Sequence, residues 1–188
     1  MPVPDSDRWT AARFLAWQAP RDGRRYELLA GALIVSPGPT FAHQLVVDEL
    51  HAALRAYTVA TRNGRALQAP LDVRLTDDTV LEPDIVVVRA RRGARRLAVP
   101  LATELLLAVE VLSPSTSAQA LDARRAALLQ AGVPTLWVAD PDDRSITTWS
   151  ATDDVGRVHH TSLTWAPRAN VAPLVLDLRA LFADALDR

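Results

Sequence analysis

The stretch 107-LAVEVLSPSTSAQALDARRAALLQAGV-133 decides the fold of this chain. It opens inside a run over 104–113 that is apolar on both faces, which is typical of a central, buried strand. A capping-box pattern beginning at Thr116 predicts a helix, and Gly132 is placed to end it. A further apolar run follows at 135–140. A strand, a helix and a second strand in this order predict a sheet whose central strand feeds a crossover helix.

Outward from this stretch, apolar spacing predicts further helices over 8–17, 42–60 and 179–186. Alternation and turn residues predict strands at 26–37 (a hairpin broken at Gly31), 66–75, 80–90, 145–150, 157–165 and 173–178. Helices and strands are interleaved along the chain. We therefore predict an α/β fold, with a mixed central β-sheet flanked by helices in a single domain over residues 1–188.

Composition narrows the class of protein. The chain has 188 residues, 49% of them hydrophobic, which is enough for one core. It has no Cys, so disulfides, thiolate metal sites and a cysteine nucleophile are excluded. Its first residues resemble no signal peptide, and no apolar run approaches the ~20 residues of a membrane span. We expect a soluble, cytoplasmic protein with no membrane partner.

Overall charge does not favour nucleic-acid binding, because the net charge is −1 and the sequence pI is near 6.4. Such binding would have to be local. The run Arg89–Arg96 contains five arginines in eight residues and predicts a patch that contacts DNA phosphates. The alternative is a solvated loop, since all 21 basic side chains of this chain are arginine.

Two carboxylates stand out against apolar surroundings. Asp84 lies in 82-EPDIVVV-88, and Glu110 lies within the long apolar strand. If the two strands pair, both carboxylates can meet at one end of the sheet. Oxygen ligands without cysteine favour Mg²⁺ or Mn²⁺, which can activate water for attack on a phosphoryl group. The alternative is that Asp84 caps a turn and Glu110 forms a structural ion pair.

Longer segments carry a family resemblance. RRYELLAG, SPGPTFAHQLVVDEL, LDVRLTDDTVLEPDIVVV, VEVLSPSTS and LLQAGVPTLWVADP, in this order over roughly residues 8 to 180, resemble the Uma-two (Uma2) family of putative restriction endonucleases. This family is a bacterial branch of the PD-(D/E)XK nuclease superfamily. The resemblance implies a restriction-endonuclease-like fold and Asp84 and Glu110 as metal ligands. It also implies that the usual lysine has moved onto the following helix, at the position of Arg124.

The chain departs from the family pattern on that helix. Family members usually carry an acid, a lysine and a tyrosine at four-residue steps, where this chain has Ala120, Arg124 and Leu128. Arginine stays cationic and binds phosphate through a planar fork, so it cannot serve as a general base. Periodicity alone slightly favours Arg125 over Arg124 at the centre of the buried helix face. Either arginine could instead be a surface side chain.

Other residues enter the prediction through the resemblance. His43 matches a family histidine that could hydrogen-bond a phosphate or a carboxylate, or could simply be a solvated helix cap. Glu27 matches a recurrent acid that reaches or braces the site. Asp72 could lie beside the site or pair with Arg74. The resemblance also predicts a homo-oligomer, by analogy a dimer.

Three functions remain open from the sequence. The first is a Mg²⁺- or Mn²⁺-dependent DNA endonuclease with arginine in place of lysine. The second is a catalytically degenerate family member that keeps the fold and binds nucleic acid or a partner without cleaving. The third is a metal-dependent hydrolase of some other phosphate ester.

Overall fold

The computed structural model describes residues 8–89, 99–114, 116–150, 152 and 155–188. Helices are α1 (Ala11–Ala16), α2 (Phe41–Thr61), α3 (Ala118–Gln130) and α4 (Leu178–Leu186). Strands are β1 (Arg25–Leu29), β2 (Ala32–Ser36), β3 (Arg65–Gln68), β4 (Val73–Arg74), β5 (Val80–Leu81), β6 (Ile85–Val88), β7 (Leu105–Val111), β8 (Thr135–Asp140), β9 (Ser145–Ser150), β10 (Arg157–His159), β11 (Ser162–Trp165) and β12 (Leu174–Asp177).

The main sheet has the strand order β10-β9-β8-β7-β6-β3. Strand β7 lies inside it, antiparallel to β6 and parallel to β8, and all seven of its residues are buried. Helix α3 connects the two parallel strands, as a parallel pair requires. The predicted mixed α/β sheet, with a buried central strand that feeds a crossover helix, is confirmed.

The two faces of this sheet carry separate cores. On one face, Val109 and Val111 of β7 pack in a cluster with α2 and α4, to which Leu50 and Phe182 contribute. On the other face, Ala108 packs in a cluster that includes Leu128 of α3. Since side chains alternate along a strand, Glu110 shares a face with Ala108 and points to the α3 side. The alternation therefore directs this carboxylate toward the helix that carries Arg124.

A second sheet, in the order β2-β1-β5-β4, packs beside the main one. Its hairpin matches the predicted break at Gly31. Strands β1 and β2 pair up to Leu29 opposite Ala32, and the two loop residues, Ala30 and Gly31, have φ values of 49° and 79°. Two consecutive positive φ angles are typical of the tight hairpin turn that matches strand twist.

Three predicted strands are each divided in two. The runs 66–75 and 80–90 break at Pro70 and near Pro83, so β3 and β6 join the main sheet while β4 and β5 join the second. Proline has no backbone N–H to continue a ladder. The run 157–165 divides into β10, at the edge of the main sheet, and β11, which pairs only with β12 among the described strands. Local alternation was correct, but it could not predict the change of sheet.

Two helix starts also differ from prediction. Helix α1 begins at Ala11 rather than at residue 8, with Thr10 as its cap. The cap of α3 is Ser117, whose side chain accepts a hydrogen bond from the N–H of Ala120 at 3.1 Å. Thr116 instead accepts one from the N–H of Ser113. Within the described ranges, no helix has the length and apolarity needed to cross a membrane.

Candidate active site

Asp84 and Glu110 meet at one end of the main sheet. Ile85 of β6 lies opposite Val109 of β7, so the next position outward sets Asp84 beside Glu110. Side chains of opposite residues in an antiparallel pair lie on the same face. Both acids are buried, with exposed fractions of 4% and 5%. The structure thus brings together the two carboxylates that the sequence singled out.

Three donors hold the carboxylate of Asp84. The backbone N–H of Val111 donates to Oδ2 at 2.7 Å, Nε2 of His43 lies 3.2 Å from the same oxygen, and Nη1 of Arg25 donates to Oδ1 at 3.1 Å. Burial alone would raise the pKa of Asp84, but these three partners hold it below its ordinary value. Asp84 is therefore fixed in position and in its ionised form.

Glu110 is held by the helix that follows its strand. Nη2 of Arg124 donates to Oε1 of Glu110 at 2.6 Å, and Nη1 of Arg124 donates to Oε2 of Glu27. Burial raises the pKa of Glu110 to about 7, and the nearby guanidinium of Arg124 opposes the shift. Burial would lower the pKa of Arg124, but Glu110 and Glu27 raise it above its ordinary value. Arg124 is thus a permanent cation between two buried acids.

Glu27 links the two sheets. It lies on β1 with only 1% of its surface exposed, and its Oε1 accepts the backbone N–H of Glu82 at 2.6 Å. Its other oxygen faces Arg124 and lies 3.5 Å from Nε of Arg25. Glu27 therefore reaches the site and also braces it, which are the two roles that the family resemblance left open.

His43 is a buried member of the site. Its backbone N–H donates to the Oγ1 of the helix cap Thr40, and its side chain is turned inward, with a residue exposure of 7%. Nε2 contacts Asp84, whereas Nδ1 is buried and has no hydrogen-bond partner among the described residues. The solvated-cap alternative is wrong for this histidine.

The structure separates the two arginines of α3. Arg125 lies away from the acids: it pairs with Asp122 at 3.2 Å, and its guanidinium lies 5.6 Å from the centre of the Trp149 ring. Leu128, at the family's tyrosine position, is fully buried in the apolar cluster under α3. Arg124 is therefore the arginine that enters the site, and the slight preference of periodicity for Arg125 is wrong.

Two cavities open onto the site. The larger, of ≈ 480 Å³, is lined by Asp84, His43 and other residues, and the smaller, of ≈ 200 Å³, by Glu110, Glu27, Arg124 and others. Side chains of Arg25, Pro37, Ser113 and Thr116 together with Val111 line both cavities. The two cavities are thus neighbours that share one wall.

Two further acids line the larger cavity. Burial raises the pKa of Asp72, and the charge of Glu27 adds to the shift. Burial and the charge of Asp72 are the leading causes that raise the pKa of Glu82 to about 7. Arg74 pairs with Asp77 at 2.5 Å, so the suggested pairing of Asp72 with Arg74 is wrong. Sequence reasoning passed over Glu82, although it directly precedes the Pro-Asp pair.

Arg25 is the other residue that sequence reasoning missed. Its guanidinium contacts Asp84 and lies close to Glu27, so it connects the two acids. The only local signal was its place in RRYELLAG, one of the segments that carry the family resemblance. Most of the predicted patch Arg89–Arg96 lies outside the described residues; Arg89 itself is exposed, and its backbone N–H donates to the carbonyl of Glu104.

The charges of the site bear on cation binding. Three buried carboxylates, of Glu27, Asp84 and Glu110, face two guanidinium groups, of Arg25 and Arg124, which leaves one negative charge when all are ionised. Within the described part of the chain, no group of three or more acidic or histidine side chains is arranged to enclose a metal. Mg²⁺ commonly needs only one or two carboxylates, together with water and substrate phosphate. The paired carboxylates of Asp84 and Glu110 fit that looser kind of site.

Comparison with known proteins identifies a shared fold and a family. The chain resembles the crystal structure of a putative nuclease belonging to DUF820 from Anabaena variabilis, with a TM-score of 0.78 and 21% identity over 95% of this chain and 99% of that one. This likeness shows a shared nuclease-like fold. No curated protein matches the chain. The family model of Uma2, described as a putative restriction endonuclease, matches residues 11–179. The chain therefore belongs to the Uma2 family of putative restriction endonucleases.

Proposed function

We propose that this protein is a Mg²⁺- or Mn²⁺-dependent DNA endonuclease, in which Asp84 and Glu110 bind the metal and Arg124 stands in place of the usual lysine. The observation that carries the proposal is the pairing of two buried carboxylates on adjacent strands beside a buried guanidinium. Family membership supports nuclease chemistry. The acids are buried and paired, which is costly unless a cation or a hydrogen-bond network compensates them.

The excess negative charge supports metal dependence. A DNA phosphodiester is itself an anion, and two like charges 4 Å apart near a protein surface repel by about 4 kcal/mol. Asp72 and Glu82 add acidic groups next to the site. A bound divalent cation would remove this repulsion. A cation between the acidic site and the anionic substrate would therefore favour the approach of the phosphate.

The protein's own residues would position the ligands and the substrate. When bound, the metal would supply an activated water and would stabilise charge on phosphorus. His43, Arg25 and the N–H of Val111 orient Asp84. Arg124 orients Glu110, and the remaining N–H groups of its fork can donate to a phosphate oxygen in the smaller cavity. Because arginine keeps its proton, Arg124 would bind and stabilise charge but would not act as the general base.

A second candidate is favoured by one observation. Arg124 bonds Glu27 and Glu110 together, so a guanidinium already compensates charge next to the proposed metal ligands. A family member of this kind could bind nucleic acid or a partner without cleaving it. The loss of the family acid and tyrosine, at Ala120 and Leu128, points the same way. Retention of the buried acids favours the endonuclease.

The test is nicking of supercoiled plasmid with Mg²⁺ or Mn²⁺, and with EDTA as the metal-free control. We expect metal-dependent nicking that Asp84→Asn and Glu110→Gln each reduce by about 10²-fold or more, as for loss of one group that stabilises a transition state. DNA binding without nicking, at high protein concentration, would favour the second candidate. Cleavage of a chromogenic phosphodiester with intact DNA would instead indicate a hydrolase of small phosphate esters.

Assembly, location and the DNA contact complete the proposal. We propose a cytoplasmic homodimer that acts as a single domain per chain and contacts DNA phosphates through Arg89–Arg96. Support comes from the lack of cysteine and from the density of arginine in that run. Light scattering would measure the mass in solution. The salt dependence of DNA affinity, compared before and after Arg91→Gln and Arg92→Gln, would test the basic run.

A further inference from the structure

The larger cavity has one aromatic side. Its volume of ≈ 480 Å³ lies within the usual range for small-ligand pockets, and both Trp17 and Tyr26 line it. The Trp17 ring is fixed by edge contacts, with centroid distances of 5.3 Å to Trp9 and 5.4 Å to Tyr26. Trp9 does not line the cavity. The cavity therefore has a preorganised aromatic side, in which Trp17 is held in place by its neighbours.

The larger cavity also has acidic lining residues, Asp72 and Glu82. Both line the cavity and are half-buried, and the carboxylate of neither forms a hydrogen bond or ion pair with another described residue. Their oxygens are thus available acceptors in the same cavity as the aromatic rings. The three carboxylates of the lining, of Asp72, Glu82 and Asp84, outnumber its two guanidinium groups, of Arg24 and Arg25, so a phosphate is disfavoured here. The complementary ligand is planar, stacks through its face and donates N–H groups from its edge.

The cavity also adjoins the proposed phosphate site. Arg25 and Val111 line both the larger cavity and the smaller one, which contains Glu110 and Arg124. Asp84 lines the larger cavity, and its carboxylate accepts the N–H of Val111. A ligand held in the larger cavity would therefore lie directly beside a group bound at the smaller one. A nucleotide has this arrangement, with a planar base joined to a phosphate.

We infer that the larger cavity binds a single unpaired nucleobase bearing an exocyclic amino group, stacked on Trp17 and hydrogen-bonded to Asp72 and Glu82. The inference rests on the proposed function, because it places the base next to the phosphate to be cut. Cytosine and adenine present such an amino group and thymine does not. A base inside a duplex cannot enter a cavity, so the preferred substrate is single-stranded or has a base flipped out of the stack.

The experiment measures binding without cleavage. Fluorescence anisotropy in EDTA would compare labelled oligo-dC and oligo-dT of equal length, with the full chain. We expect oligo-dC to bind about tenfold more tightly, as one or two amino hydrogen bonds allow. Trp17→Leu should weaken binding of both oligonucleotides by roughly tenfold, because stacking on an aromatic side chain is tolerant of base identity. The matched control is Trp149→Leu, which changes a half-buried tryptophan of β9 that lines neither cavity.

Substitution of Asp72 and Glu82 should change the preference between the two oligonucleotides, which differs from the effect expected for Trp17→Leu. Asp72→Asn and Glu82→Gln should remove the preference for oligo-dC while leaving oligo-dT binding equal or stronger, since less negative charge repels the phosphates. Asp48→Asn, on the exposed side of α2, is the control for charge alone. Equal affinity for the two oligonucleotides in the unmodified protein would overturn the inference. So would a loss of binding that is as large for Trp149→Leu as for Trp17→Leu.

The two proposals can fail independently. Plasmid nicking together with equal oligo-dC and oligo-dT affinities would reject the base pocket and keep the endonuclease. Base-selective binding without nicking under any divalent metal would keep the pocket and reject the endonuclease. Since Asp72→Asn and Glu82→Gln change few atoms, they remain informative even where Trp17→Leu perturbs the fold.

Discussion

Nη2 of Arg124 donates a hydrogen bond of 2.6 Å to Oε1 of Glu110, a residue 14 positions earlier in the chain. The strand that carries Glu110 and the helix that carries Arg124 are consecutive elements, so the crossover itself brings cation and anion together. A charge inside an apolar strand is thereby explained. Glu110 is compensated by a helix side chain directed onto the same face of the sheet.

Arg124→Lys tests the role of this helix position in catalysis. Lysine is a compact charge that can lose its proton when desolvated, whereas arginine cannot, so lysine can take part in proton transfer. We expect Arg124→Lys to increase plasmid nicking by about 10²-fold, the lower end of general acid–base contributions. Arg125→Lys is the matched control on the neighbouring residue, with no change expected. Equal nicking by both variants would remove Arg124 from the chemistry.

Glu27→Gln tests the brace between the sheets. The substitution leaves the Arg124 side chain, which is only 11% exposed, with one ionised partner, and breaking such a largely buried pair typically costs about 3 kcal/mol in the free energy of unfolding. Urea unfolding followed by circular dichroism would measure it. The comparison variant is Asp187→Asn, which breaks an exposed pair with Arg144. A cost for Glu27→Gln no greater than that for Asp187→Asn would contradict the described network.

Metal binding can be tested without turnover. A ligand that binds only the folded state stabilises it by about 1.4 kcal/mol at ten times its dissociation constant. We expect the melting temperature to rise with Mn²⁺ or Mg²⁺ concentration, and the rise to be lost in Asp84→Asn and in Glu110→Gln. Differential scanning fluorimetry would measure it. A rise that both variants retain would place the ion elsewhere on the protein.

Glu82 makes a pH-dependent contribution to stability. Burial, with the charge of Asp72, raises the pKa of Glu82 from 4.5 to about 7, so the folded state holds this proton more tightly than the unfolded chain does. Below the pKa of the unfolded chain, this shift does not change the free energy of unfolding. As pH rises from about 4.5 through 7, the shift lowers the free energy of unfolding increasingly. We expect Glu82→Gln to raise the melting temperature at pH 8 relative to the unmodified protein. At pH 4 the two proteins should melt alike, and a constant difference across the range would contradict the shift.

Local sequence patterns correctly predicted the features of the fold that depend on residues close to one another in the chain. Unbroken apolarity around Glu110 correctly marked β7 as central, and two turn residues correctly marked the β1–β2 hairpin. The carboxylates were identified because an acid in an apolar strand needs a partner. The resemblance placed Arg124, and the structure directs that side chain to Glu27 and Glu110.

Long-range contacts explain what the sequence could not predict. Which sheet a short strand joins depends on the partner it finds, so alternation could not separate β3 from β4 or β5 from β6. Arg25 reaches Asp84 across 59 positions, and no local period marks such a contact. Helix α3 buries only Leu128 among its residues, so its apolar face was too narrow to decide between Arg124 and Arg125.

The short links between the sheets constrain how the protein can move. Strands β5 and β6 belong to different sheets and are joined only by Glu82, Pro83 and Asp84. Three residues can span little more than about 10 Å when fully extended. The ends of β5 and β6 consequently stay close together, and Asp84 is the last residue of this link. Any motion of one sheet relative to the other would therefore displace the Asp84 carboxylate from its partners on β7 and α2.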